Sequence, residues 1–237
     1  VLTAALYIPV GGRVVYAFEG DLIVVLFLLS LPALFYFLAG WVSGGIYSVI
    51  GGTRSVLQYF SYEVPFLMAL SAPAILTGSW SISQIITQQA EAGWILLVQP
   101  LGFLLAVVGL IGKLKRVPFD IPKAKSEVVA GPLTEFSGRK LALWHLTVEI
   151  QTVVGIFLLV NAFLGGGDLT LLQGSTPLGL VRAVTFAAKA LAMLLTLSVT
   201  SALYARLRID QLASLGWRVL APLGLVQLAA TILVGIG

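Results

Sequence analysis

Apolar positions fill this chain in long runs, each closed by a short polar or glycine-rich stretch. The runs are Asp21 to Trp41, Ser55 to Thr77, Gly93 to Gly112, Leu141 to Leu164, Leu180 to Leu203 and Leu215 to Ile236. Each is near the ~20 residues that an α-helix needs to cross a bilayer. The pattern predicts an all-α, polytopic helix bundle of six complete transmembrane helices, preceded by a remnant over Val1 to Val10. Gly11-Gly12, Gly44-Gly45, Gly51-Gly52 and Gly165-Gly166-Gly167 fall in or beside connections, where chain breakers belong. No stretch is left for a soluble domain, so residues 1–237 read as one membrane domain. Val1 opens inside an apolar run with no initiator methionine, and the expectation is that the natural N-terminus is missing.

Composition sharpens this. The chain is 59% hydrophobic and 10% charged, with mean hydropathy +1.03, whereas a soluble domain carries about 25% charged residues. Cysteine is absent, which excludes disulfides, iron–sulfur ligation and thiolate chemistry within the chain. Any redox centre must sit in a partner. The single histidine, His145, makes no zinc site by itself. A pI near 9.5 raises nucleic acid as a partner, but the basic residues cluster between apolar runs, where they set orientation instead. Connections 42–54, 113–140 and 204–214 hold Arg54, seven basic residues from Lys113 to Lys140, Arg206 and Arg208. Those at 11–20, 78–92 and 165–179 hold only Arg13 among basic residues, beside Glu19, Glu91 and Asp168. The positive-inside rule puts the first set on the cytoplasmic face of the inner (cytoplasmic) membrane.

Ionisable residues inside apolar runs are the first candidates for function. Such a side chain costs at least ~2.5–3.5 kcal/mol in hydrocarbon and tends to face a bundle interior or a wet cavity. Glu63 lies in YFSYEVPF, with Pro65 interrupting the helical ladder just beyond it. It reads as a carboxylate on a proton path, or as a buried acid bonded to the Tyr59 or Tyr62 hydroxyl. Glu149 follows His145 at helical spacing in LALWHLTVEIQT, so the two are expected to share a face and pair. Lys189, in FAAKALAML, sits among small residues that allow close helix packing. It is positioned to bias, or to neutralise, a neighbouring carboxylate.

The 113–140 segment, KLKRVPFDIPKAKSEVVAGPLTEFSGRK, carries ten charges: Lys113, Lys115, Arg116, Lys123, Lys125, Arg139 and Lys140 against Asp120, Glu127 and Glu135. Pro122 in a first-turn position and Asp120 as a cap predict a short helix over Lys123 to Ala130, closed by Gly131-Pro132. On that helix Lys123 and Glu127 would pair. Phe119, Ile121, Val128, Val129, Leu133 and Phe136 have no place in a merely solvated loop, so the segment is expected to fold and to dock against a partner.

Three separated motifs, GWVSGGIYSVIGGTRSVLQYFSYEVPF, RVPFDIPKAKSEVVAGPLTEFSGRKLAL and ARLRIDQLASLGWRVLAPL, resemble the complex I membrane subunit that adjoins the redox arm (the H subunit, or subunit 1) and its relatives in membrane-bound nickel–iron hydrogenases. The resemblance implies an eight-helix family, of which the first helix and most of the second are expected to be absent here. It implies no metal, flavin or cluster in this subunit. Iron–sulfur clusters and, in the hydrogenase relatives, nickel–iron would sit in soluble partner subunits, with hydrogenase-like large subunits above and antiporter-like subunits beside it in the membrane. By motif position Glu63, Glu127 and Glu135 are similar to members of the family's acidic funnel. Arg54, Asp120, Arg206 and Asp210 resemble the polar groups at its mouth. Lys123 and Lys125 stand where quinone-reducing members usually carry acids, and Glu149 is offset by about one residue from the family's usual glutamate. GPLTEFSG and SYEVPF look more like the hydrogenase and sulfur-reductase branch. The expected function is thus a non-catalytic membrane subunit of an ion-pumping redox complex, relaying charge through Glu63, Glu127, Glu135, Glu149 and Lys189. The alternatives are the quinone-binding H subunit of a complex I-type dehydrogenase, a stand-alone secondary transporter using Glu63 and Lys189, and an inert hydrogenase anchor.

Overall fold

The computed structural model describes residues 1–11, 14–167 and 179–236, the side chains of residues 125, 126 and 234–236 excepted. Arg13, Asp168 and the Lys125 side chain lie outside the described residues. The elements are helical: α1 (Leu2–Ala5), α2 (Asp21–Val42), α3 (Ile46–Thr77), α4 (Ile82–Ala92), α5 (Ile95–Val98), α6 (Pro100–Leu114), α7 (Lys125–Val128), α8 (Gly138–Phe163), α9 (Gly179–Leu203), α10 (Ile209–Leu215) and α11 (Ala221–Ile236). A 3₁₀ turn spans Gly131–Leu133, and a π turn over Gly216–Leu220 joins α10 to α11. The chain is a polytopic helical membrane protein. Among the described residues, five helical stretches are long and apolar enough to cross a bilayer: α2, α3, α8, α9 and the α10–α11 stretch Ile209–Leu233.

The run at Gly93 to Gly112 differs from the expected continuous span. It breaks at Gln99, whose φ of −128° and ψ of 59° leave the helical region, and resumes with Pro100 as the first residue of α6. Proline's ring disfavours helical geometry in the residue before it, which accounts for the break. Helix α3 differs the other way. It begins at Ile46, so Arg54 lies in a helix and not in a loop, and it continues through Pro65 and Pro73. Pro65 has no N–H for the carbonyl of Ser61. Gly216 fills the space beside that carbonyl so closely that an added Cβ would lie 2.4 Å from the Ser61 oxygen.

Helix α3 is the hub, packing on α2, α6 and α11. Small residues permit this, as membrane helix pairs generally require. A Cβ added at Gly109 would lie 2.7 Å from Phe66, and one at Gly112 2.9 Å from the Tyr62 ring. The 113–140 segment folds back over the same end. Phe119, Ile121, Val128 and Leu133 are buried, whereas Val129 is exposed and Phe136 half-buried. The first four bury against the chain's own bundle, so their apolar character by itself calls for no partner. Gly131, at φ +60°, must be glycine: a Cβ there would meet the Pro122 carbonyl at 1.8 Å. The helix expected at Lys123 to Ala130 is confined to α7, capped by no side chain.

Candidate functional site

Two glycines on α6 let the helix lie directly against α3, and this close contact brings Lys113 to Glu63. Lys113 Nζ donates to Glu63 Oε1 at 2.9 Å, with the two side chains 0% and 4% exposed. The ammonium also sits 4.7 Å from the centroid of the Phe66 ring. The tyrosine hydroxyls expected as partners of Glu63 do not supply its hydrogen bond. The Tyr62 hydroxyl, Glu63 Oε2, Gln58 Oε1 and Ser55 Oγ are all buried on α3 with no hydrogen-bond partner, while Gln58 Nε2 donates to the Gly112 carbonyl at 2.8 Å. Buried polar atoms in native proteins are normally satisfied, and a row of unsatisfied ones around a carboxylate is chemically suited to ordered water and proton exchange.

Outside the membrane helices, Lys115 and Lys123 converge on the Tyr36 ring of α2, at 4.3 and 5.9 Å from its centroid. Burial, then the neighbouring Lys123 and Lys113 charges, push the Lys115 ammonium down to about 7. Burial lowers Lys123 as well.

A mouth of opposite charges lies beyond. Arg54 of α3 pairs with Glu127 of α7, and its hydrogen bond and charge hold the Glu127 carboxyl below the usual range. Arg206 pairs with Asp120 at 3.1 Å, and the Leu207 N–H donates to the Pro118 carbonyl at 3.1 Å. These contacts close a cavity of about 200 Å³ lined by Arg54, Ile121, Glu127, Arg206, Arg208 and Asp210. Asp120 therefore serves the 204–208 strand of chain and does not cap α7. Glu127 pairs with Arg54, not with Lys123.

The remaining predicted residues lie apart from this axis. Glu149 pairs with Arg116, from the end of the α6 segment, at 3.3 Å, and Arg116 also reaches Thr152 at 3.4 Å. His145, exposed on α8, is not the partner of Glu149. Glu135 is exposed and reaches toward Gly45, where an added Cβ would lie 2.8 Å from its Oε1. Lys189 donates to the Leu164 and Gly166 carbonyls at 2.6 and 3.0 Å, capping the C-terminal end of α8, and lies 4.9 Å from the Trp94 ring. Among the described residues no three histidine or carboxylate side chains converge as a metal-ligand set. Sequence reasoning missed Lys113, Lys115 and Tyr36. Lys113, next to last in the run VVGLIGKL, reads from the sequence only as one of the basic residues of the 113–140 connection.

A spanning bundle with a buried ion pair behind a charged mouth defines a polytopic helical membrane protein. The comparison with known sequences gives the family: residues 1–232 match the NADH dehydrogenase family, and the chain belongs to it. It is 35% identical over 195 residues to the H subunit of the NADH-quinone oxidoreductase of Bacillus cereus (strain B4264), and equally to that of Bacillus thuringiensis (strain Al Hakam). These matches take in 82% of the chain and 57% of each relative, so the chain spans little more than half their length. Among solved structures it superposes on a chain of the membrane-bound sulfane sulfur reductase (MBS), an archaeal respiratory membrane complex, with TM-score 0.87 and 29% identity, over 97% of this chain and 75% of that one.

Proposed function

We propose that this chain is the membrane subunit that couples the electron-transfer arm of a respiratory complex to its ion-translocating membrane arm, in the manner of the hydrogenase and sulfur-reductase branch. The observation that carries the reading is the Glu63–Lys113 pair, a carboxylate and an ammonium withdrawn from water inside the bundle and flanked by unsatisfied polar atoms. A change of charge on a docked redox partner alters the field at these groups, and one pKa unit corresponds to ~1.4 kcal/mol. The basic residues of 42–54, 113–140 and 204–214 lie on the cytoplasmic side of the inner membrane. The exposed charges and Val129 of the 113–140 segment form the docking surface for iron–sulfur and hydrogenase-like large subunits. Antiporter-like subunits receive the displaced charge. Glu127 and Glu135 act as outer carboxylates, Arg54, Asp120, Lys123, Lys125, Arg206 and Asp210 shape the entrance, and Glu149 and Lys189 contribute charge at the flanks.

The ionic mouth is chemically ill-suited to a quinone ring. Its volume is about 200 Å³, below the ~300–1,000 Å³ of mostly apolar small-molecule sites, and its walls are guanidinium and carboxylate groups. A second reading, the quinone-binding subunit of a complex I-type dehydrogenase, is favoured by a groove of about 860 Å³ between α2 and α8, lined by Pro32, Phe35, Phe136 and Trp144 with Glu135 and Lys140 at one end. Affinity purification through this chain, with metal analysis and inhibitor titration, decides between the two. The expected outcome is co-purification of iron–sulfur subunits with turnover that survives quinone-site inhibitors. Inhibitor-sensitive turnover moves the assignment to the quinone branch, and isolation of the chain alone as an active transporter contradicts both.

A further inference from the structure

We propose that Lys115 holds an exchangeable proton beside the Glu63–Lys113 pair, as an amine-based station in the charge relay. The inference rests on the relay reading of Glu63 and extends it to a side chain of another type. Lys115 closes α6 in the left-handed conformation, φ 50° and ψ 41°, with its N–H bonded to the Gly112 carbonyl at 3.2 Å. That turn sends the side chain inward, and the residue is 9% exposed. Its ammonium faces the Tyr36 ring of α2, which Lys123 approaches from the loop. Lys113 lies two residues earlier, in the last turn of α6.

The charges around this chamber do not balance. Lys113, Lys115 and Lys123 bring three ammonium groups together. Glu63 is hydrogen-bonded by Lys113 and also acts on Lys115. Asp120 and Glu149 act on Lys123 but are shared with Arg206 and Arg116, so five cations stand against three carboxylates. Helix α8 contributes Trp144, Thr147 and Gln151 to the wall, none of which titrates in the working range. Excess buried positive charge is relieved by a bound anion or by loss of a proton. The space is about 10 Å³, room for about one water molecule and too little for a polyatomic anion such as phosphate. Lys115, pressed by burial and by both other lysines, is the group that releases the proton.

In the exchange a Lys115 Nζ–H bond breaks and an O–H bond forms on the Glu63 carboxylate through one water. The products are a neutral amine and a neutral acid, so the transfer moves the positive charge within the chamber, and the excess is relieved when Glu63 gives the proton onward. Glu63 Oε2 has no hydrogen-bond partner and is free to take the proton. Reprotonation of the amine from the mouth side resets the station.

Competitive labelling of lysine amines across a pH series, read by mass spectrometry on the assembled complex and normalised to the high-pH plateau, tests the proposal. Lys115 is expected to titrate near the value of about 7 given by its surroundings, whereas an ordinary lysine titrates near ~10.4. Titration in the ordinary range overturns it. So does a titration that rises when chloride or phosphate is added, which marks a bound anion as the neutralising group. Lys115→Arg keeps the charge over Tyr36 but does not release a proton at working pH, and it is expected to lower the ions moved per electron by about tenfold or more. Wild-type coupling in that variant overturns the proposal. A wild-type complex that moves no ions while Lys115 titrates near 7 contradicts the relay reading of Glu63 and leaves the exchangeable lysine standing.

Discussion

Helix α3 carries an ion pair at each end of a short stretch, and the two differ chiefly in their access to water. At Arg54–Glu127 the side chains are 24% and 52% exposed, while at Glu63–Lys113 both are withdrawn from solvent. The outer pair sits in high dielectric, where ion pairs are worth ~0–1 kcal/mol. The inner pair has given up two hydration shells for a single hydrogen bond, so each charge depends on the other. The outer charges shape an entrance that tolerates replacement. The inner ones form a site in which any change of protonation is felt by the partner.

The largest effect expected follows from separating the inner pair. Lys113→Ala leaves a buried carboxylate unpaired and should destabilise the fold by ~3–5 kcal/mol, measured as lost thermal stability of the purified complex. Methionine at both Lys113 and Glu63 removes both charges at similar volume and should recover most of that stability. If Lys113→Ala melts like the wild type, Glu63 is not the dependent charge described here.

Next in size is the packing that creates the pair. Gly112→Ala puts a methyl group 2.9 Å from the Tyr62 ring, an overpacking worth ~1–3 kcal/mol, and thermal melts of the variant should show it. An unchanged melting temperature would mean that α3 and α6 separate more easily than their contact implies.

The smallest effect belongs to the outer pair. A double-mutant cycle with Arg54→Ala and Glu127→Gln should give a coupling below ~1 kcal/mol. Because Arg54 lowers the Glu127 carboxyl, the stability it contributes is present above the ordinary glutamate value of ~4.3 and is lost as pH falls through the depressed one. The cycle repeated at pH below the ordinary glutamate value should therefore show the coupling fade, and a coupling that grows there contradicts the assignment.

This contrast also separates what was legible in the sequence from what was not. Apolar run length located five spans, because a membrane helix must satisfy its own backbone within one segment. The sixth run misled: its composition was continuous while Pro100 set a local backbone limit at Gln99. Motif position put Arg54, Asp120, Arg206 and Asp210 at the mouth and Glu127 in the funnel behind it, whereas Glu127 lines one cavity with Arg54, Arg206 and Asp210, and Asp120 pairs with Arg206. Partner choice was not legible. Helical spacing offered His145 to Glu149 and Lys123 to Glu127, but Arg116 and Arg54 arrive from other segments and take those carboxylates. Lys113 was hidden because a lysine near the end of an apolar helix looks the same whether it reaches for the interface or folds inward. Only the glycine-mediated approach of α6 to α3 settles which.

The central claim is that Glu63 passes charge through its buried pair, and ions moved per electron by the complex in sealed proteoliposomes test it most directly. Glu63→Gln keeps the shape and an acceptor for Lys113 while removing the titratable proton. With the assembled complex verified, the ratio should fall by about tenfold or more in Glu63→Gln. A ratio equal to that of the wild type would contradict the account.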